Sequence, residues 1–448
     1  MVMMKPVAFI RVAAAGTAMW PCGARRTMCA IASQHVIAPT LACPTAVHDA
    51  LVSTARERED ESPFFVIDLG AVREQHKLWR KHLPSVRPFY AVKCNPDDRI
   101  LSLLSELGTG FDCASVDEIQ AAMRAGACPT NDIVYANPCK AASHLRFAAD
   151  RGVKRMTLDC VEEVEKVAAM YPTAECLVRL RVDDSSALCK LGNKYGAGMD
   201  EVPHILRAAV QRGVSVVGVC FHVGSGCNDT SAYVRAVRDA RHAVDLAADV
   251  GINMSVVDIG GGFPGDRDTF AGIANVLASA LDHEFSTGVE LIAEPGRFYV
   301  EESHVLAVNV IGTRRVSTAD DSTDASGDTP AMGRDTRQDH NMVFVSDGLY
   351  GCFKNLLCDH ATAKPAVLVR NEGSSDSQAL PGRPDTTSVW GPTCDGLDCI
   401  VPSTPALPPL RTGDWLAFER WGAYTISTAS TFNGFPLPDK VYVDEARA

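Results

Sequence analysis

Residues 255–262 read Ser-Val-Val-Asp-Ile-Gly-Gly-Gly, and residues 290–297 read Glu-Leu-Ile-Ala-Glu-Pro-Gly-Arg. Each stretch is a short run of aliphatic residues that reaches an acidic residue and then opens into a glycine-containing turn. Runs of this length, bounded by turn residues, are typical of buried strands in βα units. The two stretches therefore predict parallel strands whose carboxyl ends carry polar groups.

Six more runs of this kind precede them, separated by amphipathic helical patterns. They lead into polar residues: 88–92 into Lys93, 110–111 into Asp112, 133–136 into Asn137, 156–158 into Asp159, 177–180 into Arg181, and 214–221 into His222. Eight βα units predict a (β/α)8 barrel over residues 63–303 rather than an open doubly wound sheet. A dinucleotide-binding sheet is disfavoured because the glycine run comes seventh and reads Gly-Gly-Gly. Ser115 and Asp159 precede helical runs and are predicted N-caps.

Residues 304–448 have a different pattern, in which short β-forming runs alternate with turns. The runs are 304–311, 341–346, 414–419, 423–427 and 441–443. Two stretches rich in Ser, Thr, Asp, Gly and Pro, 317–338 and 371–388, are predicted to be mobile surface loops. We predict a second, C-terminal all-β domain, to which the segment 49–67 contributes a strand at 64–67.

The composition indicates a soluble globular chain of 448 residues, 46% of them hydrophobic, with a net charge of −12. An acidic chain without a dense Lys/Arg cluster is a poor candidate for holding nucleic acid or an anionic membrane by charge. No apolar run is long enough to span a bilayer. The 16 cysteines are scattered without a CxxC pair, which favours reduced thiols over a disulfide scaffold or a structural metal site.

Residues 1–48 contain no Asp or Glu and carry several alanines and basic residues. This composition fits an organelle transit peptide, and it fits an unstructured extension at least as well. We expect this segment to lie outside the fold, and we expect a cytoplasmic protein unless the extension directs it to an organelle.

The predicted strand ends carry the residues with chemical potential, because barrel active sites lie at the carboxyl ends of the strands. Lys93 is either a rim lysine or an amine whose pKa is lowered by burial, suited to condense with an aldehyde cofactor. The turns that contain Ser225, Gly262 and Gly296, with Arg297 beside them, form a candidate phosphate site.

Two acidic residues and a cysteine extend this set. Glu294 either forms an ordinary salt bridge or holds the nitrogen of a pyridine ring protonated. Cys394, in a loop bounded by Gly and Pro, is either an inert thiol or a proton donor. Asp359 is either a surface acid or a partner for a substrate cation.

Together these segments resemble the eukaryotic ornithine decarboxylases, a family of pyridoxal-phosphate enzymes with an alanine-racemase-like barrel. The resemblance covers residues 63–443 and rests on specific motifs: Tyr90-Ala-Val-Lys-Cys-Asn, Gly110-Phe-Asp-Cys-Ala-Ser, Tyr135-Ala-Asn-Pro-Cys-Lys, Phe221-His-Val-Gly-Ser-Gly, Asp258-Ile-Gly-Gly-Gly-Phe-Pro-Gly, Ala293-Glu-Pro-Gly-Arg, Trp390-Gly-Pro-Thr-Cys-Asp-Gly-Leu-Asp and Gly422-Ala-Tyr-Thr. It implies decarboxylation of L-ornithine to putrescine, the first step of polyamine biosynthesis, with pyridoxal 5′-phosphate as cofactor and no metal.

The resemblance also implies a role for each matching residue. Lys93 would bond the cofactor covalently, His222 would stack on its ring, and Glu294 would pair with its ring nitrogen. Asp112 and Glu118 would support the lysine, and Arg179 would lie on the cofactor side. The phosphate would be held by Ser225, Gly262, Gly296, Arg297 and Tyr424. Asp359 and Asp395 would bind the distal amine of ornithine, and Cys394 would protonate the carbon that loses carbon dioxide.

In this family two subunits complete each active site, so the resemblance implies a homodimer in which Cys394 and Asp395 come from the partner. It leaves open an antizyme-like regulatory partner. One departure is Cys358, which stands beside the substrate aspartate where the family usually has tyrosine. The chain ends at Ala448 without the long degradation-signal tail of vertebrate members, so rapid turnover through such a tail is not expected.

Two alternatives stay open. The first is a decarboxylase of the same fold that acts on arginine, lysine or diaminopimelate. The second is an inactive binding paralogue of the antizyme-inhibitor type. Retention of Lys93, His222, Glu294 and Cys394 favours an active enzyme.

Overall fold

The predicted barrel strands are present in the computed structural model of the protein, which describes residues 41–227, 229–285, 288–318, 338–371, 386–404 and 407–444. They are β2 (Val86–Ala91), β3 (Gly110–Cys113), β4 (Ile133–Tyr135), β5 (Arg155–Leu158), β6 (Glu175–Arg179), β7 (Ser215–Cys220), β8 (Val256–Asp258) and β9 (Glu290–Ala293). Neighbouring strands pair in parallel, and β2 pairs with β9 to close the barrel.

The barrel interior is filled by side chains from most of its strands. One buried cluster contains Phe89, Val134, Leu177, Cys220, Val256 and Ile292. On β7, a Cβ atom at Gly218 would lie 2.0 Å from the carbonyl oxygen of Val256, so only glycine lets β7 and β8 approach this closely. The packed interior leaves the chemistry to the strand ends.

Amphipathic helices alternate with these strands. They are α2 (Leu69–His82), α3 (Asp98–Glu106), α4 (Val116–Arg124), α5 (Ala142–Arg151), α6 (Val161–Met170), α7 (Val202–Arg212), α8 (Thr230–Asp249), α9 (Arg267–Glu284) and α10 (Arg297–Val300). Ser115 caps α4 as predicted, accepting a hydrogen bond from the Glu118 backbone N–H. The prediction for Asp159 was wrong: Cys160 is the N-cap of α6, and the Asp159 carboxylate accepts from the backbone N–H of Gly196.

The β domain is an eight-stranded mixed sheet. Its strands are β1 (Phe64–Asp68), β10 (His304–Thr318), β11 (Gln338–Val345), β12 (Ala366–Val369), β13 (Thr386–Trp390), β14 (Cys399–Thr404), β15 (Trp415–Glu419) and β16 (Asp439–Val443). The main order is β12-β15-β10-β11-β13-β14, and β1 lies between β10 and β16. The strand predicted at 64–67 is therefore confirmed.

One β prediction was wrong, and three strands were missed. Residues 423–427 form tight turns: Tyr424 has a φ of 57°, and its N–H bonds to the Cys94 carbonyl. A left-handed residue cannot continue a strand, and this contact draws the turn toward the barrel. The missed strands β12, β13 and β14 are short, and β13 begins within the predicted loop 371–388.

The amino-terminal boundary also differs from the prediction. Helix α1 (Thr45–Glu57) begins inside the segment 1–48, and it buries Val47, Leu51 and Ala55 against sheet residues such as Phe64 and Trp415. Residues 1–40, most of 317–338 and most of 371–388 lie outside the described residues. The described elements belong to one compact unit, Ala38–Ala448. Among these described elements, no helix is both long and apolar enough to cross a membrane.

Candidate active site

Lys93 lies in a short 3-10 turn directly after β2, at the barrel mouth. Its Nζ donates a short hydrogen bond to the carboxylate of Asp112, which stands at the end of the neighbouring strand β3. Asp112 is fully buried, whereas 41% of the Lys93 side chain is exposed. The second oxygen of Asp112, Oδ1, receives no hydrogen bond from the described residues. Parallel register brings this pair together, since Ala91 pairs with Asp112.

The sequence left open whether burial lowers the pKa of Lys93; in the structure the net pKa of Lys93 is raised. Burial is the largest single influence, and it lowers the pKa of Lys93. The charges of Asp112 and Glu294 together raise this pKa by more, so that the net pKa lies above that of an ordinary lysine. The ligand-free lysine is therefore an ammonium ion held by carboxylates.

Glu294 follows β9 and extends the cluster across the barrel mouth. Burial and the neighbouring carboxylates of Asp112 and Asp258 raise the pKa of Glu294 well above its ordinary value. Lys93 and Arg179 act in the opposite direction. Glu294 thus lies within electrostatic reach of two acidic and two basic side chains at the mouth: Asp112, Asp258, Lys93 and Arg179.

His222 stands at the end of β7, against the glycine turn of residues 260–262. Its Nδ1 accepts a hydrogen bond from the Gly224 N–H at 3.0 Å. Burial, together with the charges of Arg179 and Lys93, lowers the pKa of His222 to about 3. The imidazole is therefore neutral at physiological pH, and it presents an uncharged ring face.

The glycine turns leave room that any side chain would fill. A Cβ at Gly261 would lie 3.0 Å from His222 Nε2, and a Cβ at Gly262 would lie 2.2 Å from the Gly224 carbonyl oxygen. At Gly296 it would lie 2.9 Å from the Cβ of Cys94. These positions let the backbone of two neighbouring loops approach a ligand directly.

Arg297 hydrogen-bonds both to Ser225, which is predicted to bind phosphate, and to Asp359, which is predicted to bind substrate. Its Nη2 donates to Ser225 Oγ at 3.2 Å, and to the two carboxylate oxygens of Asp359 at 2.5 and 2.6 Å. The guanidinium carbon lies 5.3 Å from the centre of the Tyr424 ring. A cavity of about 510 Å³ opens beside this group, lined by Ser225, Arg297, Asp359 and His360 among others.

The sequence did not indicate every polar residue at this cavity. Cys189 donates a weak hydrogen bond to Asp359 Oδ1 at 3.7 Å and lies 3.9 Å from the Cys358 carbonyl oxygen. Burial raises the pKa of Asp359, although Arg297 opposes this effect. No motif marked Cys189, because it comes from a loop after β6 and reaches the site only through pairing with Ser225.

A second opening, of about 620 Å³, lies beside Lys93. Lys93, Glu118 and Tyr424 line it. The Glu118 carboxylate accepts from the Ala114 N–H at 2.6 Å, which fixes the start of α4 near the lysine. Arg179, at the end of β6, lies over the ring of Tyr195 at 5.6 Å.

Cys394 and Asp395 are not brought to this cluster within one chain. Cys394 is exposed, and its N–H bonds to Asn433 Oδ1 at 3.2 Å. Asp395 accepts from the Tyr350 hydroxyl, and the Tyr350 ring stacks on Phe432 with the centroids 4.4 Å apart. Among the described residues, no hydrogen bond or ion pair links this loop to the barrel mouth.

The cluster as a whole suits amine and carbonyl chemistry. It offers a primary amine beside a carboxylate, a neutral ring face, a proton-retaining acid and an arginine next to glycine turns. No group of three or more His, Cys, Asp and Glu side chains in the described part of the chain is arranged to hold a metal ion.

Comparison with known proteins places this geometry in context. Residues 69–301 match the family model described as "Pyridoxal-dependent decarboxylase, pyridoxal binding domain". The ornithine decarboxylase of Neurospora crassa is 45% identical over 401 residues, which cover 86% of this chain and 82% of that protein. Antizyme inhibitor 2 of Xenopus laevis is 44% identical over 394 residues, covering 86% of this chain and 82% of that protein.

A solved structure shares the fold at similar coverage. The arginine decarboxylase of Paramecium bursaria Chlorella virus, bound to agmatine, aligns with a TM-score of 0.77 and 33% identity. The alignment covers 88% of this chain and all of that one.

Proposed function

The chain belongs to the family of pyridoxal-dependent decarboxylases, and we infer that it decarboxylates L-ornithine to putrescine and carbon dioxide. Pyridoxal 5′-phosphate is its cofactor. The observation that carries this function is the convergence of Lys93, Asp112, Glu294 and Arg297 at one barrel mouth. These side chains come from the ends of strands β2, β3 and β9 and from the start of α10.

The residues present fit this cofactor. When bound, pyridoxal phosphate supplies an aldehyde that condenses with amines and a protonated ring that withdraws electrons. We propose that Lys93 bonds the aldehyde, Glu294 faces the ring nitrogen, and His222 lies against the ring. The phosphate would be bound by Ser225, Gly262, Gly296, Arg297 and Tyr424, while Asp112 and Arg179 complete the charge balance. The glycine turns support this placement because a Cβ at Gly261 or Gly262 would occupy space beside His222.

Asp112 controls the proton of Lys93. Because the pKa of Lys93 is raised, the amine must lose a proton before it can act as a nucleophile. Asp112 is already hydrogen-bonded to Nζ and is the nearest acceptor for that proton. The carboxylate thus holds the lysine in place and also deprotonates it.

Asp359 and Asp395 are proposed to bind the distal ammonium of ornithine, with Cys358 at the edge of the pocket. Arg297 pairs with Asp359 in the ligand-free chain. A phosphate group beside Ser225 would compete for the same guanidinium nitrogen. Binding of the cofactor would therefore free Asp359 for a substrate cation.

Cys394 is proposed to donate the proton that replaces the lost carboxyl group. Its exposure, and the absence of a contact to the barrel mouth within the described chain, support assembly of the site from two copies. We propose a homodimer in which each copy lends Cys394 and Asp395 to the other. The exposed side chains of Leu397 and Phe432 beside this loop fit an interface that is covered on assembly.

Several further points stay proposals. The likeness to an antizyme inhibitor supports an antizyme-like regulatory partner. The described cysteines are all free, which supports a cytoplasmic location. The barrel domain is proposed to span residues 63–303, and the β domain 304–448 with the strand from 49–67.

Turnover measurements test the substrate. Release of carbon dioxide is compared for ornithine, lysine and arginine at equal concentrations, with Lys93→Ala as the blank. We expect ornithine to have the highest kcat/KM, because two carboxylates are proposed at its distal amine. Preference for arginine or lysine would overturn the substrate assignment. Absence of cofactor absorbance in the purified protein would favour the inactive binding paralogue instead.

A further inference from the structure

Asp258 is a fully buried acid at the end of β8, and the mechanism proposed above assigns it no role. Its Oδ1 accepts a hydrogen bond from the Gly260 N–H at 2.9 Å. Its Oδ2 is shielded from solvent, and no donor of the described residues bonds to it. A buried carboxylate oxygen without a donor is costly.

The group that adjoins Asp258 is the carboxyl of Glu294. The backbone fixes the two residues through Gly260, whose N–H bonds to Asp258 and whose carbonyl accepts from the Glu294 N–H at 2.7 Å. Glu294 is partly exposed, whereas Asp258 is fully buried. Two adjoining carboxyls form a hydrogen bond only if one of them carries a proton.

The surrounding charges require such a proton. The acids that face Asp258 and Glu294 are each other and Asp112, and the cations are Lys93 and Arg179. Arg155 acts from β5, but it is paired with Glu290 at 3.1 and 2.8 Å. Two further neighbours are uncharged, since the pKa of His222 is lowered and the pKa of the Cys220 thiol is raised. Because Lys93 is paired with Asp112, the two acids Asp258 and Glu294 face one remaining cation, Arg179.

We propose that Asp258 and Glu294 share a single proton and that Asp258 is the positioning residue for Glu294. Without cofactor, the O–H of Glu294 donates a hydrogen bond to Asp258 Oδ2, and the proton stays on Glu294. When Glu294 faces a protonated ring nitrogen, the proton crosses to Asp258, and Glu294 becomes the carboxylate. One O–H bond breaks and one forms, and no proton enters or leaves the pair. The inference rests on the proposed pairing of Glu294 with the ring.

The shared proton makes the stability of the apoprotein depend on pH. Burial raises the pKa of both members of the pair, that of Asp258 to about 7, above the values of about 3.9 for an unfolded aspartate and about 4.3 for an unfolded glutamate. The folded chain therefore binds more protons than the unfolded chain between these values. The stability that the pair contributes is present at low pH, and its loss begins as the pH rises through about 7.

The test uses the apoprotein and its titration with pyridoxal phosphate. Asp258→Asn retains an acceptor for Gly260 N–H and offers a permanent donor to Glu294, whereas Asp258→Ala removes both. We expect Asp258→Asn to bind the cofactor within about threefold of the wild type, and Asp258→Ala to bind it roughly 10-fold to 100-fold more weakly. Urea unfolding at pH 5.5 and 8.5 should show a smaller pH dependence for Asp258→Asn than for the wild type.

Asp347 provides a matched control. It is a buried aspartate of the β domain, and burial raises its pKa to about 7 as well. Asp347→Asn should reduce the pH dependence of stability without changing cofactor affinity.

Equal cofactor affinity for Asp258→Ala and the wild type, or an unchanged pH dependence of stability in Asp258→Asn, would overturn the shared proton. If Asp258→Ala fails to fold, the pH dependence of unfolding in Asp258→Asn decides. Failure of the wild type to bind cofactor would instead overturn the proposed function, and the urea measurement would still test the pair.

Discussion

The barrel mouth and the loop of residues 390–399 differ in how firmly one chain fixes them. At the mouth, Asp112 and Asp258 are fully buried, and Lys93 is bonded to one of them. In the loop, Cys394 is exposed, and among the described residues its hydrogen bonding is limited to its backbone N–H. Both regions carry residues proposed for the same reaction.

This difference in burial indicates which surroundings the residues of each region need for catalysis. Groups that shift one another's pKa must be desolvated and rigid, and the strand ends of a closed barrel provide this within one chain. A proton donor on an exposed loop has no such surroundings until something covers it. The two-copy site follows from this contrast.

The largest expected effect is loss of the lysine. Lys93→Ala should lower the rate of carbon dioxide release by about 10³-fold or more, because the covalent anchor is lost. Absorbance of the lysine-bound cofactor should vanish as well. The control is Lys77→Ala, an exposed lysine of α2, which should leave both readouts unchanged. Substantial turnover by Lys93→Ala would place the chemistry elsewhere.

Removal of the loop thiol should have a smaller and different effect. Cys394→Ala should slow turnover about 10²-fold, the size expected for one proton-transfer group. The products should include an aberrant species from protonation at the wrong atom, detectable by mass spectrometry. Cofactor absorbance should persist, unlike in Lys93→Ala. Cys128→Ala, at an exposed cysteine of the barrel, is the control. An unchanged rate and product for Cys394→Ala would show that the loop is not part of the site.

The smallest expected effect concerns the ion pair between Asp97, which follows the turn that carries Lys93, and Lys440 of β16. The buried carboxylate of Asp97 accepts from Lys440 Nζ and Tyr442 Oη, each at 2.7 Å, which ties the turn to β16. Lys440→Met should lower the free energy of unfolding by about 1–3 kcal/mol at pH 7, since it leaves Asp97 with one fewer donor. Urea denaturation measures this, and Lys77→Met is the surface control.

The same variant has a defined pH dependence. Burial raises the pKa of Asp97, but the hydrogen bonds from Lys440 and Tyr442 outweigh it, so that the net pKa lies below the ordinary value. The stabilisation is therefore present above about pH 4 and is lost as the pH falls through the folded pKa. The difference between Lys440→Met and the wild type should shrink in acid. A difference that grows in acid would contradict the assignment of the pair.

The sequence predicted the barrel well for a physical reason. Its strands are covered on both faces, so most of them contain a continuous apolar run such as 133–135 or 291–293. Strands β12, β13 and β14 were missed because they are short or follow polar stretches. The turn at Tyr424 was mistaken for a strand, because its left-handed conformation depends on a contact with Cys94 that no local pattern reveals.

The sequence indicated which residues form the site, but not their pKa values or their pairing. The strand-end positions of Lys93, His222 and Glu294 could be read from the order of the runs. The raised pKa of Lys93 could not, because it depends on Asp112 and Glu294, which lie on other strands. The pairing of Arg297 with Asp359 likewise joins residues 62 positions apart.

Mixing two inactive variants tests the contrast between the regions most directly. Lys93→Ala and Cys394→Ala subunits are unfolded and refolded together, and ornithine turnover is measured. If each site takes Lys93 from one copy and Cys394 from the other, random pairing should restore about one quarter of the wild-type activity. Activity no greater than the sum of the two separate variants would contradict a site shared between copies.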